Sequence, residues 1–149
     1  MRSNIPLQPR LSGALGDNVK RALEFHGSVV AKAVEANGVV VLSLRDAYVH
    51  VSRGSPAVDA GDGYMEPIDL TLSRASWIGD LSHASGAISD GDFRVDGKSL
   101  GLLPLPCSIA GRIEIDFVFT SGKTLFIRAH EATSSSRGPA RWIESYDSP

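Results

Sequence analysis

The segment GRIEIDFVFTSGKTLFIRA, residues 111–129, decides the fold class. Apolar and polar residues alternate on both sides of a small Ser-Gly turn, the period of two expected of a half-buried strand. A two-residue turn at Ser121-Gly122 sets Ile115 against Arg128 and Ile113 against His130, a poor match. A three-residue loop, Thr120-Ser121-Gly122, sets Phe117 against Leu125, Ile115 against Ile127 and Ile113 against Ala129. Glu114 then meets Arg128 on the other face. Glycine falls at the third loop position, where this hairpin type needs a positive φ. The segment therefore reads as an antiparallel hairpin with one apolar and one polar face.

The same alternation extends in both directions. Turn dipeptides recur at Asn37-Gly38, Asp62-Gly63, Asp90-Gly91 and Asp96-Gly97. Strands are predicted near 26–36, 39–51, 66–75, 84–88, 92–96, 111–120, 123–130 and 140–146, with irregular loops at 52–63 and 131–139. Many short strands with regular turn signals indicate a mainly β fold, an antiparallel β-sandwich or flattened barrel of about seven to nine strands. One short N-terminal helix is predicted over 17–25. Asp17 or Asn18 would cap it, and Val19, Ala22 and Leu23 fall at i, i+3 and i+4. Pro6, Pro9, Gly13 and Gly16 mark residues 1–16 as an extended N-terminal arm, leaving 17–149 as a single β-rich domain.

A two-residue turn at Asn37-Gly38 aligns another hairpin. Phe25, Val29, Ala31 and Ala33 share one face with Val40, Leu42, Leu44 and Tyr48, and His26, Ser28 and Lys32 share the other with Ser43 and Arg45. The pattern inverts after Arg45: Asp46 and His50 land on the apolar face, and Ala47, Val49 and Val51 on the polar one. A bulge near Arg45-Asp46 restores order, because one extra residue flips every later side chain. Asp46 and His50 are then expected to face solvent and not to form a catalytic pair.

The chain has 149 residues, long enough for one domain with its own core. Its net charge of −2 argues against binding nucleic acid by phosphate neutralisation. The longest apolar run, Val39–Leu42, is far below the ~20 residues of a membrane span. No apolar signal region follows Met1, so a cytoplasmic protein is expected. The single Cys107 excludes an internal disulfide and a multi-cysteine zinc site.

Chemistry-bearing motifs are sparse. His26, His50, His83 and His130 form no HxH, HxxxH or HExxH spacing, so no metal is expected. Asp46 and His50 share a strand face near His26, an arrangement open to acid–base work, with two solvent-facing side chains as the plainer reading. No G-x-S-x-G elbow surrounds any serine. Cys107 reads as a small buried hydrophobe. The loop from Asp59 to Tyr64, with Glu66 nearby, fails the calcium-loop pattern and reads as a mobile loop. No phosphate-binding glycine motif occurs, so no cofactor is expected. Trp77 and Trp142 lie near strand ends, where tryptophan anchors a partner, stacks on a ligand or seals a core rim. With His26 they are the candidate contact residues; no catalytic residue is assigned.

In the order EFHGSVV, VVVLSLRDAYV, SGAISDGDFRVDG, LLPLP, the 111–129 hairpin and RWIESY, residues 23–146 resemble small bacterial β-rich domains of unknown function that end in a short aromatic–acidic strand. The resemblance implies a β fold and carries no activity. The expected function is a non-enzymatic protein-interaction module of a bacterial cytoplasm, with a protein partner or a second copy of the chain as its contact. A small-ligand-binding β-sandwich is the alternative, and a hydrolase or isomerase using a His/Asp pair the second alternative.

Overall fold

A computed structural model describes residues 19–147. Ten strands follow one another: β1 (Lys20–Ala36), β2 (Val39–Ser52), β3 (Gly61–Ser73), β4 (Ser76–Ile78), β5 (Gly86–Val95), β6 (Lys98–Leu100), β7 (Leu103–Leu105), β8 (Ser108–Phe119), β9 (Thr124–Ser136) and β10 (Arg141–Tyr146). All pairings are antiparallel. The order β3-β2-β1-β5-β8-β9 closes on itself because β3 also pairs β9, so six strands form a closed barrel and four lie outside the ring. Of the sandwich and the barrel, the molecule is the barrel. Closure pairs the six ring strands with one another and leaves open edges to the outer strands, with β10 and β4 at the two ends of the order.

The barrel is filled by its own side chains. Phe25, Leu42, Leu44, Leu70, Phe93, Ile113, Ile115, Phe117 and Ile127 all point inward and are buried. Phe25 stacks on Phe93 with ring centroids 6.2 Å apart and tilts against Phe117 at 5.2 Å. The 111–129 hairpin has the expected register: Ile113↔Ala129, Glu114↔Arg128, Ile115↔Ile127 and Phe117↔Leu125. The Gly122 N–H donates to the Phe119 carbonyl at 2.8 Å, and Gly122 takes φ 91°.

The predicted N-terminal helix is not formed. Asp17 and Asn18 lie outside the described residues, as does the predicted arm over 1–16; from Lys20 the chain is strand. No α-helix occurs among the described residues, and Leu81–His83 form one 3-10 turn. The helical spacing of Val19, Ala22 and Leu23 has another cause. Arg21–Leu23 pair with β2 on one side and β7 on the other. With both edges paired, Ala22 and Leu23 are both buried although neighbouring side chains of a strand point in opposite directions. A doubly covered strand and a short helix give the same apolar spacing.

The β1–β2 register starts as expected, from Ala36↔Val39 to Lys32↔Ser43, then shifts over Val29–Lys32, on both sides of Val30, and again between Glu24 and Val29. Val30 thereby replaces Ala31 and Val29 on the inner face, and Tyr48 turns outward. The bulge predicted at Arg45-Asp46 is present: Leu44 pairs Ile68 and Ala47 pairs Glu66, leaving two residues of β2 opposite Pro67. Proline has no N–H to offer a ladder, so the irregularity falls where a donor is missing. Arg137 fills the gap. Its guanidinium donates to the Leu44 carbonyl at 2.9 Å and to Asp69 at 2.7 Å, and its backbone N–H donates to the Pro67 carbonyl at 2.9 Å.

At the second β1 irregularity, Phe25–Ser28 stand opposite Ala47 alone. Gly27 makes the required turn at φ 87°. Ser28 mends the ladder with its side chain: its hydroxyl accepts the Tyr48 N–H at 2.9 Å and donates to the Glu24 carbonyl at 2.6 Å. Ser28 is fully buried. Ser28→Ala leaves the Tyr48 amide unsatisfied and is expected to cost about 2 kcal/mol. Urea denaturation should show this as a lower midpoint with an unchanged m-value.

Candidate functional site

The densest group of polar side chains lies on the outer wall of the barrel, where β1, β2, β3 and β10 run side by side. It is built from residues that alternation turns outward: Glu24 on β1, Tyr48 and His50 on β2, and Glu144 and Tyr146 on β10. Gly63 and Gly61 face them from β3, opposite His50 and Ser52. A Cβ on Gly63 would stand 2.2 Å from the Tyr48 hydroxyl, so the absent side chain is the space the tyrosine occupies.

His50 is the centre of the group. Its Nε2 lies 2.7 Å from Glu24 Oε1 and its Nδ1 3.0 Å from the Tyr146 hydroxyl. Aromatic rings flank it, Tyr48 at 4.8 Å and Tyr146 at 5.8 Å between centroids. A carboxylate only accepts, so Nε2 carries a proton toward Glu24, and Nδ1 is left to pair with the Tyr146 hydroxyl. Burial, above all, holds the Tyr146 phenol above its ordinary pKa, although the Ala57 N–H bonded to its oxygen opposes this. Burial likewise raises Tyr48, whose hydroxyl donates to Glu144. Both phenols therefore keep their protons and act as donors.

His50 does not face solvent as expected from the sequence: it is only 8% exposed, because the side chains of Glu24, Tyr48 and Tyr146 close around it. Nor is Asp46 its partner. That carboxylate sits on the bulge and takes the Arg45 guanidinium at 3.1 Å. The true partners lie 26 and 96 positions from His50 in sequence, beyond the reach of any local motif. With both ring nitrogens engaged and little surface exposed, the histidine fastens three strands together and presents no free nitrogen to a substrate.

No family model, no curated protein and no solved structure matches the chain. The candidate residues therefore stand on geometry alone. His26 is exposed at the tip of the β1 irregularity. Trp77 on β4 pairs with Ile127 and packs against the core, sealing its rim. Trp142 on β10 is 57% exposed, and its indole N–H donates to Asp62 at 3.2 Å. The three residues sit on three different strands, with Trp77 and Trp142 on the two end strands of the sheet order.

Other chemistry suggested by the sequence is spoken for. Cys107 is buried, which pushes its thiol up to about 11, and its Sγ lies 3.6 Å from the Ala132 carbonyl. Glu66 is buried against the Arg21 guanidinium inside the barrel end, not turned toward the 53–60 loop. Asp59 closes that loop by accepting the Ser55 N–H at 2.6 Å. Among the described residues no three His, Cys, Asp or Glu side chains converge as metal ligands, and no helix is long and apolar enough to cross a membrane. The described residues form shallow surface hollows. One, of about 250 Å³, is lined by Asp80, His83, Phe119 and Lys123; another, of about 100 Å³, by Trp77, Ile78, Phe126 and Arg128.

Proposed function

We propose that this protein is a non-enzymatic interaction module that binds an extended segment of a protein partner along β10. The observation that carries the reading is the state of Trp142. It is largely exposed yet held in place by Asp62, on a strand that pairs β3 on one side and no described residue on the other. Exposed tryptophan that is already ordered loses little entropy on binding, which is how anchor residues gain affinity. Ile143 beside it is 38% exposed. An unpaired edge offers backbone donors and acceptors to an incoming strand.

Two features weigh against the alternatives. The barrel interior is packed with side chains, and a small-ligand site is usually a chamber of roughly 300–1,000 Å³. The Asp46/His50 pair that a hydrolase or isomerase would use is not assembled, since each residue has other partners.

The test compares wild-type protein with Trp142→Ala and Trp77→Ala as baits in native lysate. Hydrogen exchange is then followed on any complex. Loss of a partner with Trp142→Ala alone, together with slowed exchange of β10 amides in the wild-type complex, is the expected result. A partner retained by Trp142→Ala, or protection confined to another strand, would overturn the reading. Sedimentation over micromolar to millimolar concentration shows whether a second copy fills the same role.

A further inference from the structure

We propose that β10 is an exchangeable strand, and that the β3 edge it covers accepts β10 from a second copy of the chain. This inference does not rest on the reading of the outer β10 edge. It concerns the opposite edge of the same strand.

The edge of β3 is divided at Pro67. Ile68–Ser73 pair with β9, and Gly61–Met65 pair with β10. The two covers are held in different ways. β9 is one continuous strand: of residues 131–136, which pair with β3, Ala132 is buried, and the same strand sends Leu125, Ile127 and Ala129 into the core. In β10 Arg141–Ser145 are exposed and Tyr146 is half-buried. The strand contributes nothing to the packed interior. Besides its ladder it is fastened by polar contacts: Glu144 to Tyr48, Tyr146 to His50, and Trp142 and Ser145 to Asp62. Water replaces such bonds readily, so opening exposes little apolar surface, the condition for local unfolding well below global unfolding.

The hinge is equally defined. Arg137 is anchored at the barrel by Leu44, Pro67 and Asp69. Between that anchor and β10 lie only Gly138, Pro139 and Ala140. Release therefore begins beyond Arg137 and leaves the barrel closed.

What fills the vacated edge is set by its own side chains. Tyr48 needs an acceptor, His50 a hydroxyl and Asp62 two donors, at the spacing that Glu144, Tyr146, Ser145 and Trp142 provide. An identical chain supplies that spacing without adjustment. Reciprocal exchange of the two strands gives a closed two-fold dimer.

Two measurements on the full chain decide the matter. In wild-type protein the amides of 141–146 should exchange as a group, about 100-fold faster than those of Ile68–Ser73. The double variant Tyr48→Phe, Tyr146→Phe should speed the 141–146 group further without affecting Ile68–Ser73. Deleting Gly138 and Pro139 should shorten the hinge enough to shift sedimentation from monomer to dimer. Exchange of 141–146 no faster than that of Ile68–Ser73 would show a locked strand and overturn the proposal. So would a shortened chain that stays monomeric with β10 protected. If the shortened chain does not fold, the exchange rates of the wild type and the double variant still decide.

Discussion

Ile115→Ala is expected to destabilise the protein by about 3–4 kcal/mol, whereas Glu114→Ala, its neighbour, costs at most about 1 kcal/mol. Ile115 has no solvent exposure and lies between Phe93 on β5 and Ile127 on β9. Removing its three outer carbons loses their transfer free energy and leaves a void in a barrel that cannot collapse around it, because hydrogen-bonded ladders fix the strands on both sides. Glu114 points outward. Its carboxylate lies 3.2 Å from Arg128 and 3.5 Å from Arg94, and Arg94 retains Asp92 and Asp116 when Glu114 is lost. Urea titrations of the two variants measure the contrast. Equal losses would contradict the inward placement of the Ile113, Ile115 and Phe117 row.

Gly91→Ala is expected to cost about 2–3 kcal/mol, an effect of overpacking. Gly91 sits in the middle of β5 opposite Phe117. A Cβ there would lie 2.7 Å from the Phe25 Cβ, 3.2 Å from the Phe117 ring and 3.3 Å from Ile88. The nearest of these atoms is tied directly to the β1 backbone, so relief requires β1 and β5 to separate and not merely a side chain to turn. Gly101→Ala is the control: a Cβ there meets nothing within 4 Å, and the change should stay within about 0.5 kcal/mol. Thermal or chemical unfolding that failed to separate the two alanine variants would refute this account of the β1–β5 junction.

These two sites also mark where sequence reading succeeds and where it stops. The 111–129 hairpin is legible because its partners lie in one short segment and only one loop length pairs apolar with apolar residues. The Arg45-Asp46 bulge is legible because the alternation visibly inverts. Asp90-Gly91 and Asp62-Gly63 look like turns and are not: both lie inside strands, in β5 and β3. Each glycine makes room for an aromatic side chain from another strand, Phe25 of β1 in one case and Tyr48 of β2 in the other. Local chemistry does not distinguish that need from a turn's need for positive φ. The stretch 131–139 reads as loop for a related reason. β9 continues to Ser136, but of residues 131–136 only Ala132 and none of the serines reaches the core. The Ser134 hydroxyl instead accepts the Cys107 N–H at 2.7 Å. The outer-wall cluster escapes sequence reading for the same reason, since Glu24, His50 and Tyr146 meet only after three strands have been laid together.

The ring is completed at two junctions of unequal strength. β1 and β5 share only the pairs Val29↔Ala87 and Val30↔Gly86. β3 and β9 share an unbroken register that β4 prolongs past the kink at Arg74, from Ile68↔Ser136 to Ile78↔Phe126. The β1–β2 and β8–β9 hairpins need only close tight turns, so each forms from contacts near in sequence. The β3–β9 seam must bring together the far ends of both, and the entropy of that long loop is lost before any seam contact repays it. The molecule is thus two local meanders, and the step that joins them into a barrel is the one expected to limit the speed at which it folds.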